Sequence, residues 1–169
     1  MSVAPPVNSR AEYRHVTGML SEHASKQLLK EWSVPVTRDR LLPAQPINAA
    51  DLSGVVSPVA LKIVSRDIPH KSEIGGVHLH IRNAAELVTA GGDMLTRVQQ
   101  AMPAAKLDGL LVSEMITDGI ETIVGGVNDS AFGPVIAFGL GGCFAGTLRD
   151  ITYRRAPFDV ETRGEMIGE

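Results

Sequence analysis

"DGLLVSEMITDGIETIVGGVNDSAFGPVIAFGLGG", residues 108–142, decides the fold class. Three strand-like pieces follow one another in it, "DGLLVSEM", "IETIVGGV" and "GPVIAF", with only turn-type residues between them. Parallel neighbours need a crossover of a dozen or more residues, usually a helix, and none fits here. Upstream the pattern runs helix, strand, helix. The sheets are therefore at least partly antiparallel, and the class is α+β rather than a doubly wound sheet.

The whole chain sets the wider bounds. At 169 residues it is long enough for a real core, with one domain as the starting expectation. Its 44% hydrophobic and 21% charged residues describe a globular rather than a disordered chain. Net charge is −3, Lys and Arg are scattered, and aromatic residues make up 4%. Neither a basic stripe nor a stacking platform exists, so nucleic acid is not an expected partner. Cys143 is the only cysteine, which gives no disulfide framework and no Cys-type zinc site, and fits a reducing compartment. Residues 1–20 lack the apolar core of a signal peptide, and the apolar stretch from Pro134 to Leu148 is too short to span a bilayer. A cytoplasmic protein with no membrane partner is expected.

Residues 1–17 read as a flexible tail. In "LSEHASKQLLKEW", Leu20, Ala24, Leu28 and Trp32 recur on one helical face, with Ser21 as candidate N-cap. "VPVTRD" reads as a short extended edge segment and "LLPAQPINAADLSG" as a loop. "PVALKIV" is strand-like, Val59, Leu61 and Ile63 pointing one way and Ala60, Lys62 and Val64 the other. "GVHLHI" resumes a strand. Asn83 can cap a helix to about Gln100, whose middle the Gly91-Gly92 pair weakens by roughly 1 kcal/mol per glycine. "ITYRRA" is expected to close the ordered part.

The chemistry-bearing residues each allow two readings. Lys62, mid-strand, is either a solvent-facing residue or an ammonium set beside a phosphate. His70 is either a solvated loop histidine or a nucleophilic imidazole able to take up a phosphoryl group. Lys71 adds charge nearby, and Gly75-Gly76 would let backbone N–H groups approach an anion. His78 and His80 alternate on a strand and share a face, but no acid or thiol joins them at ligand spacing, so a half-exposed strand face is preferred to a metal site. Glu114 and Glu121 flank the bend "MITDGI". They are either the exposed acids of an ordinary hairpin, or a hinge whose backbone pairs with an adenine edge beside a carboxylate for ribose hydroxyls.

In order, these segments resemble the ATP-grasp domain of the NDP-forming acyl-CoA synthetases, the ADP-forming acetate–CoA ligase family. The resemblance runs through "LSEHASKQLLKEWSVPVTRD", "PVALKIVSRDIPHKSEIGGV", the stretch 108–142 and "LRDITYRRAPF", nearly everything after residue 18. It implies an ATP-binding cleft between two α+β subdomains, the first reaching to about residue 112 and the second covering 113–169. Members make acyl-CoA from an acid, CoA and ATP, or run the reverse, through an acyl phosphate and a phosphohistidine on a partner CoA-ligase subunit or domain. Carried over by position, Lys62 contacts ATP phosphates, Gly75 and Gly76 form a covering loop, Glu114, Met115 and Ile116 pair with adenine, and Glu121 holds the ribose. His70 matches a loop histidine suited to relaying phosphate. ATP/ADP and Mg²⁺ are the implied cofactors, and CoA with a small carboxylic acid the indirect ligands.

The chain also departs from that pattern. The family continues past "RRAPF" to a Glu-x-Asn-Pro-like strand that supplies Mg²⁺ ligands, and this sequence has no such motif. Gly146 stands where an acid is usual, Ser130 where proline is usual, and the loop before Pro58 looks shortened. The expectation is therefore an ATP-grasp fold incomplete at its C-terminal end, in a hetero-oligomer or a fragment of a multidomain chain. The alternative is a non-catalytic nucleotide-binding or interaction module, and a third reading is a scaffold associated with acetyltransferase domains.

Overall fold

The computed structural model describes residues 19–48, 50, 56–142 and 150–169. The expected tail at residues 1–17, Cys143 and Gly146 lie outside them. The element order is α1 (Glu22–Glu31), β1 (Asp39–Leu42), β2 (Val59–Val64), β3 (Val77–Ile81), α2 (Ala84–Ala101), β4 (Gly109–Glu114), β5 (Thr122–Asp129), β6 (Gly133–Leu140), β7 (Ile151–Arg155) and α3 (Val160–Gly168). The chain divides into two compact units, Met1–Ile116 and Thr117–Glu169. Strand β4 is paired through its whole length inside the first unit.

In the first unit the strands run β1-β4-β2-β3, and every pairing is antiparallel. Strand β4 is central, which is why "GLLVSE" is apolar almost without alternation. Val59, Leu61 and Ile63 on β2 are fully buried, as the period-2 pattern requires, and join Ile81, Leu110 and Val112 in one core. Helix α2 covers this face with Leu87, Ala90, Met94 and Val98, which recur at helical spacing. Asn83 caps it by accepting from the Glu86 N–H at 2.9 Å. Gly91 has a packing reason rather than being a mere weakness. A Cβ there would lie 2.5 Å from Ile47 Cδ1, so the missing side chain lets buried Ile47 dock on the helix.

Four expectations are corrected in this unit. Strand β1 begins at Asp39, so "VPVT" precedes it and Leu41-Leu42 belongs to the strand instead of the following loop. The expected apolar face of α1 buries no residue fully, and Trp32 is its C-cap, 49% exposed. The helix is attached through charged groups instead. The β2–β3 register shifts between Val59 and Leu61, with Val59 opposite Ile81 and Leu61 opposite His78. That bulge puts His80 at φ +60° and breaks the regular alternation with His78. Its N–H instead donates to Met115 Sδ at 3.2 Å.

The second unit is the antiparallel sheet β5-β6-β7 with α3 following it. Helix α3 lies beyond the expected end of order at "ITYRRA". Asp159 caps it, accepting from the Thr162 N–H at 2.9 Å, and Met166 is its one buried residue. At its far end Glu169 accepts from the Thr152 hydroxyl at 2.6 Å and pairs with Arg154.

Candidate functional site: a lysine-lined cavity and a hinge

The loop between β2 and β3 is built to hold His70 and Lys71 in place. Ser65 Oγ donates to the Lys106 carbonyl at 2.7 Å and accepts from the Asp67 N–H at 3.1 Å. Asp67 Oδ2 in turn accepts from the Lys106 N–H at 2.8 Å. Ile68, next along, is 1% exposed and plugs into the core. The "S-R-D-I" run is thus a clamp that fixes the start of the loop.

The turn then closes on itself. The Glu73 N–H donates to the His70 carbonyl at 3.3 Å, Gly75 to Ser72 at 3.2 Å and Gly76 to Lys71 at 2.7 Å. The Gly76 carbonyl accepts from the Ile63 N–H at 2.8 Å. Both glycine N–H groups are therefore spent inside the turn, not presented to an anion. What the pair does is geometric. Gly75 sits at φ +71°, and a Cβ on Gly76 would lie 2.8 Å from Ile63 Cγ2 and 2.9 Å from the Lys71 carbonyl oxygen.

Lys62, His70 and Lys71 come together on an open cavity of about 460 Å³, which Glu22, Ser72 and Glu73 also line. Gly75 does not join them; it lies near Arg97 on a separate hollow with His78 and Asp93. Lys62 is half-buried, and its ammonium is paired rather than free. It shares the face of the sheet opposite the core with Ala60, Ser113 and Asp39, as the registers require. Its ammonium donates to Glu22 Oε1 at 2.7 Å.

Glu22 also takes Lys26, one helical turn on, at 3.1 Å. Lys26 further reaches Thr37 Oγ1 at 2.8 Å and Asp39 Oδ2 at 2.9 Å. Burial acts to raise the Glu22 carboxyl, but the hydrogen bonds and charges of Lys62 and Lys26 outweigh it and hold it below its ordinary value. Burial acts to lower the Lys26 ammonium, and the hydrogen bonds to Asp39 and Glu22 with their charges raise it on balance. Sequence reasoning missed Glu22, Lys26 and Asp39. The Glu-x-x-x-Lys spacing on a helix was the available signal for the first two.

At the end of β4 the Glu114 N–H is taken by the Arg38 carbonyl at 3.0 Å and the Met115 N–H by the Pro58 carbonyl at 3.0 Å. The Glu114 carboxylate faces Arg38 Nε at 3.5 Å. Among the described residues, the Glu114 carbonyl and the Ile116 N–H make no hydrogen bond, and Ile116 is 71% exposed. The hinge so leaves one acceptor and one donor two residues apart.

Glu121 belongs to the second unit. Its carbonyl accepts from the Gly141 N–H at 2.8 Å. Gly142, at φ +60°, leaves the Glu121 carboxylate the space that a Cβ would take. The glycine-rich turn therefore seats this carboxylate.

These features have clear relatives. Residues 11–169 match the ATP-grasp domain family. The chain is a member of that family. Over 151 residues the ATP-grasp chain is 38% identical to the beta subunit of ADP-forming acetate–CoA ligase I of Pyrococcus furiosus, covering 89% of this chain and 65% of that subunit. It thus spans just under two thirds of that relative. A dinucleotide forming acetyl-coenzyme A synthetase 1 of Ca. Korarchaeum cryptofilum, solved with coenzyme A and Ca-AMPCP, superposes with a TM-score of 0.82 at 34% identity. That match covers 96% of this chain and 71% of the other. The same synthetase with Mg-AMPPCP, its phosphohistidine segment pointing towards the nucleotide binding site, gives 0.74 at 31% identity, over 96% of this chain and 68% of that one.

The ATP-grasp chain is accordingly homologous to ADP-forming acetate–CoA ligases, and its mixed helix-and-sheet fold agrees with the α+β expectation. Among the described residues, no three His, Cys, Asp or Glu side chains converge to hold a cation, and no helix is long and apolar enough to cross a membrane.

Proposed function

We propose that this ATP-grasp chain binds ATP or ADP as the nucleotide-handling portion of an ADP-forming acyl-CoA synthetase. The observation that carries the reading is the convergence of Lys62, His70 and Lys71 on one cavity. Two ammonium groups suit a polyphosphate, where transfer is mostly positioning and charge neutralisation. The hinge supports the base end, since the Glu114 carbonyl can accept from an adenine amino group and the Ile116 N–H can donate to the adjacent ring nitrogen. Glu121, seated by Gly142, has the acceptors that ribose hydroxyls need.

In this reading His70 relays phosphate. An imidazole nitrogen attacks the γ-phosphorus, the bond from phosphorus to the bridging oxygen breaks, and ADP leaves; the reverse returns the group to ADP. The relatives' names and ligands support a partner that binds CoA and a small acid and carries the phosphoryl group onward. Incubation with γ-labelled ATP and a CoA-ligase partner subunit tests the relay. An acid-labile label lost in His70→Ala is expected, and a label that survives the substitution overturns it. ATP binding with no transfer would instead assign the chain to a nucleotide-binding module.

A further inference from the structure

We propose that Glu22 is a built-in competitor for the anion seat on Lys62, and that Lys26 retains its carboxylate when a phosphate takes that seat. The inference rests on the nucleotide-site reading above and adds a residue that sets the site's affinity. Glu22 lines the same cavity as Lys62, His70 and Lys71, so its negative charge lies where a phosphate would arrive. Its Oε1 is 2.7 Å from Lys62 and 3.1 Å from Lys26.

The two lysines are not equivalent. Lys26 is held independently by Thr37 and Asp39, whereas Glu22 is the one acceptor given to Lys62 among the described residues. A strand lysine without a partner would be desolvated at a cost, and Glu22 removes that cost while the site is empty. A phosphate reaching Lys62 must replace this bond. Lys62 can swing its long stem toward the newcomer, while Glu22 stays bonded to the anchored Lys26. Glu22 thus positions Lys62 beforehand and subtracts from the affinity afterwards.

The test is calorimetric titration of the full chain with ATP and Mg²⁺, and separately with adenosine, on wild type, Glu22→Gln and Lys26→Met. Glutamine keeps the shape and loses the charge, so Glu22→Gln should bind ATP on the order of fivefold tighter, with adenosine unchanged. Lys26→Met leaves Lys62 as Glu22's only cation, so ATP should bind weaker by a similar factor. A purely structural role would not give opposite signs, and either variant decides if the other does not fold. The proposal is overturned if Glu22→Gln binds ATP no tighter than wild type, if adenosine gains equally, or if Lys26→Met binds tighter. Should ATP bind neither wild type nor Glu22→Gln, the nucleotide-site reading falls and takes the proposal with it.

Discussion

Glu22 on α1 accepts a hydrogen bond from Lys62 on β2 at 2.7 Å, across 40 positions of sequence. This bond and its Lys26 counterpart make stability depend on acid. The Glu22 carboxyl is held below its ordinary value, so between its folded and unfolded values the unfolded chain binds more protons, and stability rises with pH. The contribution is present above the unfolded value and is lost as pH falls through the folded one. Both side chains remain partly in solvent, which limits the effect to about 1 kcal/mol or less. Urea midpoints measured from pH 6 down to pH 3 should fall less steeply for Glu22→Gln than for wild type, and parallel curves would rule the effect out.

Two glycines to alanine should move stability in opposite directions. At Gly76 a Cβ meets Ile63 and the Lys71 carbonyl below 3 Å, and the overpacking should cost roughly 1–3 kcal/mol. At Gly92, on the exposed side of α2, a Cβ meets nothing within 4 Å, and helix propensity alone should add about 1 kcal/mol. Denaturant titration of the two variants checks both signs.

Ile116→Pro separates the hinge's role in binding from its role in folding. The substitution removes an N–H that bonds to nothing among the described residues. The melting temperature should hold within a few degrees, while ATP affinity drops roughly tenfold, the worth of one well-placed hydrogen bond. A loss of stability with unchanged affinity would contradict the adenine assignment.

Glu121→Ala should lower the preference for ATP over its 2′- and 3′-deoxy analogues by about fivefold, as expected when ribose hydroxyls lose an acceptor. An unchanged preference in competition binding would remove the ribose role.

Local pattern revealed the fold where one residue's environment follows from its neighbours. The alternation of Val59, Leu61 and Ile63, the Asn83 cap and the succession of strands after Asp108 all needed only short windows. Helix α3 was missed because it is short and its signal is a single capping acid, Asp159. The bulge at His80 was hidden because it arises from the register between β2 and β3, which strand alternation alone does not encode. In the site, the residue types Lys62, His70 and Lys71 were visible, but not their convergence. The inward use of the Gly75 and Gly76 N–H groups was hidden because the sequence shows that glycine permits a turn without showing which way the amides point. The Glu22–Lys62 bond was hidden because the two residues lie 40 positions apart, and long-range pairing leaves no mark in a single sequence.

Whether Lys62 holds nucleotide phosphate is decided by calorimetric titration with ATP and Mg²⁺ on wild type and Lys62→Ala. Saturable binding by wild type and at least about tenfold weaker binding by a folded Lys62→Ala are predicted, the loss of a charge-assisted bond to phosphate. Equal affinity in the two proteins, or no ATP binding by folded wild type, would contradict it.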